Sequence, residues 1–109
     1  MSADNIARDG MKPGDVAVIT GGGGGFGRAF SLRLATMGAR ISVWDIDEAS
    51  GSETARQVKA AGGLASFITV DLASDASIEA AAAATLRQYG APYCIINNCL
   101  LYTSPSPRD

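Results

Sequence analysis

Short apolar runs alternate with longer amphipathic stretches along this chain. Val16 to Thr20 is uniformly apolar up to its final Thr and reads as a buried first strand. Gly25 to about Met37 then carries Phe26, Phe30, Leu34 and Met37 at helical spacing, which predicts a first helix with those four on one face. Gly38 follows as a natural stop. Arg40 to Asp45 returns to strand character, and Asp47 can cap a second helix that runs to about Ala61 and stops at Gly62-Gly63. Ala65 to Asp71 is a third strand. Ser74 caps a third helix, Asp75 to about Tyr89, stopped by Gly90 and Pro92, and Tyr93 to Asn97 is a fourth strand. Strand and helix in strict alternation predict an α/β fold: a Rossmann-type parallel sheet with flanking helices and right-handed crossovers, truncated after strand four. The run Ala80 to Ala84 fits this as helix propensity, since alanine is the best helix former.

The grammar changes at both ends. Residues 1–15 are polar and include acids, which excludes a secretory or transit signal. They read as a flexible leader, with Met11 as an alternative start. Residues 16–98 read as the folded unit, a Rossmann half-domain. Residues 99–109 contain two prolines and no helix signal. C-L-L-Y-T-S-P-S-P-R-D resembles a one-frame translation of a transposase-type sequencing-library adapter, so the tail is expected to be non-native.

Composition adds exclusions. The net charge of −2 comes with no basic block, which argues against nucleic acid or an anionic membrane as partner. No apolar run is long enough to span a bilayer. Cys94 and Cys99 give neither a disulfide framework nor a metal spacing, so no metal is expected and a cytoplasmic location is the default. Cys94, inside an apolar strand, reads as a small buried residue.

The candidate chemistry sits between strand one and helix one. Thr20 to Gly27 reads T-G-G-G-G-G-F-G. A strand running into a glycine loop that opens a helix is suited to a pyrophosphate: the loop lets a ligand approach the backbone, and the first-turn N–H groups and helix dipole face its oxygens. Gly22-x-Gly24-x-x-Gly27 satisfies the dinucleotide pattern, and Asp45 ends strand two where an acid meets a ribose 2′-OH. Five consecutive glycines could instead be a linker, but a linker would not join an apolar strand to an amphipathic helix. A phosphate-binding P-loop is excluded, because Gly27 is followed by Arg28-Ala29 and not by Lys and Ser/Thr.

These residues resemble the short-chain dehydrogenases/reductases. Thr20 to Gly27 fits that family's T-G-x-x-x-G-x-G pattern, Asp71-Leu72 resembles its adenine-contacting pair, and Ile95-Ile-Asn-Asn98 resembles the start of its N-N-A-G motif. The resemblance spans about Val16 to Asn98. It implies that Gly21, Gly25 and Gly27 shape the turn around the cofactor, with Phe26 in place of an aliphatic residue. It implies that Asp45 holds the ribose hydroxyls, Asp71 the adenine amino group and Leu72 the ring, that Asn97 braces the sheet, and that Asn98 lines the pocket. Directly after Asn98 the chain departs from the motif, with Cys99-Leu100 in place of Ala-Gly. Without the resemblance, Asp45 could be a solvated strand end or a helix cap, Asp71 a helix-capping acid, and Asn97 and Asn98 ordinary turn residues.

A carboxylate at Asp45 repels a 2′-phosphate, and Gly21 to Gly25 holds no Arg or Lys to bind one. NAD(H) is therefore expected over NADP(H). The family's catalytic Ser and Tyr-x-x-x-Lys have no counterpart: the chain has no His, its lysines are Lys12 and Lys59, and no Tyr has Lys four residues on. No catalytic residue can be named. The resemblance implies an N-terminal fragment of an NAD(P)-dependent oxidoreductase that moves hydride between nicotinamide and an alcohol or carbonyl substrate, with a homo-oligomeric full-length parent. The alternative is a non-catalytic dinucleotide-binding module or an unstable fragment.

Overall fold

The two inner strands of the sheet are its two most deeply buried. In the computed structural model, which describes residues 11–97, β1 (Val16–Thr20) and β2 (Arg40–Asp45) lie side by side, β3 (Leu64–Thr69) and β4 (Cys94–Asn97) flank them, and the order is β3-β2-β1-β4. All three pairings are parallel. Every residue of β1 is buried, as expected of a strand covered on both faces. The strand order reverses at β1, so the carboxyl ends of β1 and β4 form the switch point of the sheet.

Side chains alternate between the two faces. Ala17, Ile19, Ile41, Val43 and Ala65 point to the face covered by α1 (Gly25–Thr36) and α2 (Glu48–Ala60), where Leu34, Ala55 and Val58 complete the core. Val18, Trp44 and Val70 point to the other face, under Ala81 and Ile78 of α3 (Asp75–Tyr89). That second face carries a buried polar knot. Ser42 and Thr85 share a hydrogen bond of 2.9 Å, and the Trp44 indole N–H donates to the Ser42 hydroxyl at 3.0 Å.

Helix ends follow the punctuation in the sequence. Asp47 and Ser74 cap α2 and α3 through bonds from the N–H groups of Ser50 and Ser77. After α1, Gly38 takes φ +94°, its N–H donates to Ala35, and the Ala39 N–H donates to Leu34. After α2, Gly62 takes φ +95° with the equivalent bonds to Lys59 and Val58. Both are Schellman motifs, which need a left-handed residue at that position.

Three expectations shift. β3 covers Leu64–Thr69 and not Ala65 to Asp71, because its length is set by its partner: Arg40 pairs with Leu64 and Asp45 with Thr69. β4 begins at Cys94, since pairing with β1 starts at Ala17–Cys94. Phe26 does not share the face of Leu34 but is 62 % exposed. The buried stripe of α1 is Gly27, Ser31 and Leu34, and Phe26 sits about 100° around the helix from Gly27.

Residues 11–15, assigned to the leader, pack onto the fold. Met11 joins the α1/α2 core, and the Arg40 N–H donates to the Asp15 carbonyl. Residues 1–10 and 98–109 lie outside the described residues, and with them Asn98 and the tail.

Candidate functional site

The site forms where β1 ends. Gly21 takes φ +64°, the left-handed turn that lets the chain leave the strand. Gly27 then comes back against that turn: a Cβ on Gly27 would overlap the Gly21 carbonyl and lie 2.6 Å from the Gly22 Cα. Only glycine permits this approach, and it seats the start of α1 on the end of β1. Gly25 is different. Nothing lies within 4 Å of a Cβ built there, so its lack of a side chain leaves open space at the helix N-terminus. The first α-helical bond into this turn is from Arg28 to Gly24, which leaves the N–H groups of Gly25, Phe26 and Gly27 ahead of the hydrogen-bond ladder.

β2 ends beside the loop. Asp45 accepts from the Gly23 N–H at 2.8 Å through Oδ2, and from the Asp47 N–H at 2.9 Å through Oδ1. Asp45 lines a cleft of about 170 Å³ together with Gly21, Trp44, Ile46, Val70, Asp71, Leu72 and Ala73. That volume is below the usual range for a whole small-molecule ligand, so the cleft suits one part of a ligand, such as a single flat heterocycle. Its walls are apolar, with acids at Asp45 and Asp71. One oxygen of Asp71 accepts from the Ala73 N–H at 2.9 Å, which fixes the loop after β3.

The fold thus brings Gly21, Asp45, Asp71 and Leu72 to one cleft and sets Gly25, Phe26 and Gly27 in the first turn of the adjoining helix. Asn97 lies at the end of β4, where its Oδ1 accepts from the Thr20 hydroxyl at 3.0 Å and ties the switch point together. Trp44, Ile46 and Val70 also line the cleft, though sequence reasoning did not single them out. Ile46 carried a usable signal: an apolar residue just past a strand end, 66 % exposed. Trp44 and Val70 lie within the expected strands, and they are core residues as well as walls.

The remaining ionisable candidates stand elsewhere. Tyr89 stacks on Arg40 at 5.4 Å, and the Tyr93 N–H donates to Val16, so both tyrosines lie by the amino ends of the strands. Lys12 precedes β1, and Lys59 is in the last turn of α2, which leads into β3. Cys94 is half-buried against the α1/α2 core, and burial, with a smaller contribution from Asp15, pushes its thiol pKa up, away from a reactive thiolate. Among the described residues, no group of three His, Cys, Asp or Glu could hold a metal ion. No helix there is long and apolar enough to cross a membrane.

A family model described as short chain dehydrogenase matches residues 15–106. The short chain dehydrogenase/reductase astE of Aspergillus oryzae is 38 % identical over 95 residues, 86 % of this chain and 36 % of that protein. Among solved structures, a short chain dehydrogenase/reductase from Burkholderia phymatum in complex with NAD matches with a TM-score of 0.74 at 36 % identity, covering 76 % of this chain and 30 % of that one. A metagenomic short-chain oxidoreductase in complex with NADP matches with a TM-score of 0.73 at 32 % identity, covering 76 % and 38 %. The chain therefore spans 30–38 % of the length of these relatives.

Proposed function

The chain belongs to the short chain dehydrogenase family, and from that premise we propose that it supplies the nicotinamide-dinucleotide-binding part of an oxidoreductase acting on a small alcohol or carbonyl compound. The observation that carries this reading is the junction of Asp45 with the glycine loop. A carboxylate, an apolar cleft and the open first turn of a helix meet at the carboxyl end of a parallel sheet. The residues present fit such a cofactor. The open space over Gly25 gives a pyrophosphate access to unpaired first-turn N–H groups. The walls formed by Trp44, Ile46, Val70 and Leu72 suit an adenine, with Asp71 at its edge. Asp45 would take the adenosine ribose hydroxyls, and Asn98, outside the described residues, would line the pocket near the cofactor.

When bound, the nicotinamide supplies the hydride donor or acceptor. This chain's residues bind and orient. We assign no proton transfer to them, because Lys12, Lys59, Tyr89 and Tyr93 stand by the opposite end of the strands. That placement also favours a second reading, a module that binds the dinucleotide without catalysis. The two share the same site. We favour NAD(H) over NADP(H), since the Asp45 carboxylate opposes a 2′-phosphate, and the Arg28 guanidinium is turned to acceptors of its own on Thr54, Gly23 and Ser50.

Trp44 is the sole tryptophan of the chain and lines the cleft, so it reports directly. Titration with NADH should quench its emission and sensitise that of the reduced nicotinamide. NADPH should do so only at higher concentration. An emission spectrum indifferent to both ligands would defeat the reading. Binding without turnover of any alcohol or aldehyde would favour the second one.

A further inference from the structure

We propose that Arg28 is a positioning residue for dinucleotide binding: it holds the glycine loop, through Thr54, in the shape that receives the diphosphate. This role rests on the dinucleotide-binding function proposed above. A run of five glycines has no side chains with which to fix itself, and its backbone is the most permissive in the chain. Something outside the loop must choose its conformation. The peptide groups of Gly22 and Gly23 are in fact all committed. The Gly22 N–H donates to the Trp44 carbonyl at 3.1 Å, and the Gly23 N–H donates to Asp45 at 2.8 Å. The Gly22 carbonyl accepts from the Thr54 hydroxyl at 2.8 Å, and the Gly23 carbonyl accepts from Arg28 at 3.4 Å.

Arg28 and Thr54 act in series. The Arg28 Nε donates to the Thr54 Oγ1 at 3.0 Å, and the one hydroxyl proton of Thr54 goes on to Gly22. Donation from a guanidinium fixes which way that hydroxyl points and strengthens its onward bond. Thr54 is fully buried, so no water competes at its hydroxyl. The same guanidinium also donates to the Ser50 carbonyl at 3.3 Å, which ties the loop to the first turn of α2. The contact there is close: a Cβ on Gly23 would lie 2.6 Å from the Ser50 Cβ and 2.8 Å from the Gly51 N. Arg28 thus bonds the loop, Thr54 and α2 together. The planar fork of an arginine can serve three such acceptors, whereas a lysine ammonium cannot reach them in the same geometry. With the loop's inner groups satisfied, Gly25 to Gly27 are left to face a ligand.

The test compares ligands with and without a diphosphate in the full 109-residue chain, read by Trp44 emission. Adenosine needs only the cleft. ADP and NADH also need the loop. Arg28→Ala and Thr54→Val should each weaken ADP and NADH by about tenfold or more while leaving adenosine within about twofold, as expected for loss of a charge-assisted bond at the loop alone. Thr54→Ser, which keeps the hydroxyl, should restore ADP binding. Arg28→Lys keeps the charge and stem should the alanine variant fail to fold, and it should show the same selective loss. Without ligand, exchange of the Gly22 and Gly23 amide protons should quicken in both weakened variants. Unchanged ADP affinity in Arg28→Ala and Arg28→Lys overturns the inference and leaves the function standing. Equal loss for adenosine and ADP reduces Arg28 to a general structural role, which also overturns it. Wild type that binds none of the three ligands removes the function and this inference with it.

Discussion

The Asp45 carboxylate holds the Gly23 N–H at 2.8 Å, joining the end of β2 to the middle of the glycine loop. One side chain therefore has two separable properties, a negative charge at the cleft and a hydrogen-bond staple on the loop.

Neutralising Asp45 should separate them. Asp45→Asn retains one carbonyl acceptor for the Gly23 N–H and should relax NADH over NADPH discrimination with little loss of NADH affinity. Asp45→Ala removes staple and charge together, so discrimination should fall and NADH affinity with it, by about tenfold. Titrations of both reduced cofactors against the two variants check this. Discrimination that survives in both would show that the carboxylate does not set it.

Gly25 and Gly27 should respond oppositely to the same added methyl. Gly27→Ala drives its Cβ into the Gly21 carbonyl, so thermal unfolding should show a large destabilisation, about 1–3 kcal/mol. Gly25→Ala meets nothing within 4 Å and lies in a helix, so stability should hold or rise, by at most about 1 kcal/mol. Its methyl should nonetheless obstruct the diphosphate. NADH binding that is intact in Gly25→Ala would place the ligand elsewhere.

Thr85 anchors α3 to β2 through Ser42, with the Trp44 indole donating to Ser42 beside them. Thr85→Val keeps the volume but removes a buried partner, and it should cost about 1–3 kcal/mol in denaturant unfolding. Because Ser42 also receives the indole N–H that fixes the cleft wall, the Trp44 emission maximum should shift in the folded variant. A variant as stable as wild type would mean that the knot contributes no net stability.

Acid should weaken α2. The bond to Arg56, then that to Gln57, holds the Glu53 carboxyl down from its ordinary 4.5 to about 2, and the bonds from Ser50 lower that of Asp47. A carboxylate with a depressed folded pKa adds stability that is fully present above its ordinary value and is lost as pH falls through the folded one. Asp47 is exposed and Glu53 partly so, so the effect is modest and screened by salt. The thermal midpoint of wild type should exceed that of Glu53→Gln at pH 7, converge with it between about 4.5 and 2, and meet it below. A gap that is constant across that range would exclude the Glu53–Arg56 pair as its source.

Much of this was legible because it is local. Asp47 and Ser74 announce their helices through capping chemistry, Gly38 and Gly62 end theirs by taking a left-handed conformation, and short apolar runs mark β1 and β2. The glycine loop was readable for the same reason, since a strand, a tight turn and a helix start occupy adjacent positions, and Asp45 stood out as the acid that ends the next strand. The placement of Phe26 was not. Helical periodicity puts it near Phe30 and Leu34, but Gly27, seated against Gly21, takes the buried position of the first turn and leaves Phe26 in solvent.

Periodicity, turn chemistry and motifs within a few residues encode the alternating parallel architecture, the elements and their caps, and the kind of ligand the first loop suits. It took long-range packing to bond Asp45 to Gly23, to bring Trp44, Val70 and Leu72 to one cleft, and to bond Thr54 of α2 and Arg28 of α1 to the loop. Those relationships join residues that are far apart along the chain. Their partners are selected by the register of the sheet and the seating of the helices on it, and no local pattern records that choice.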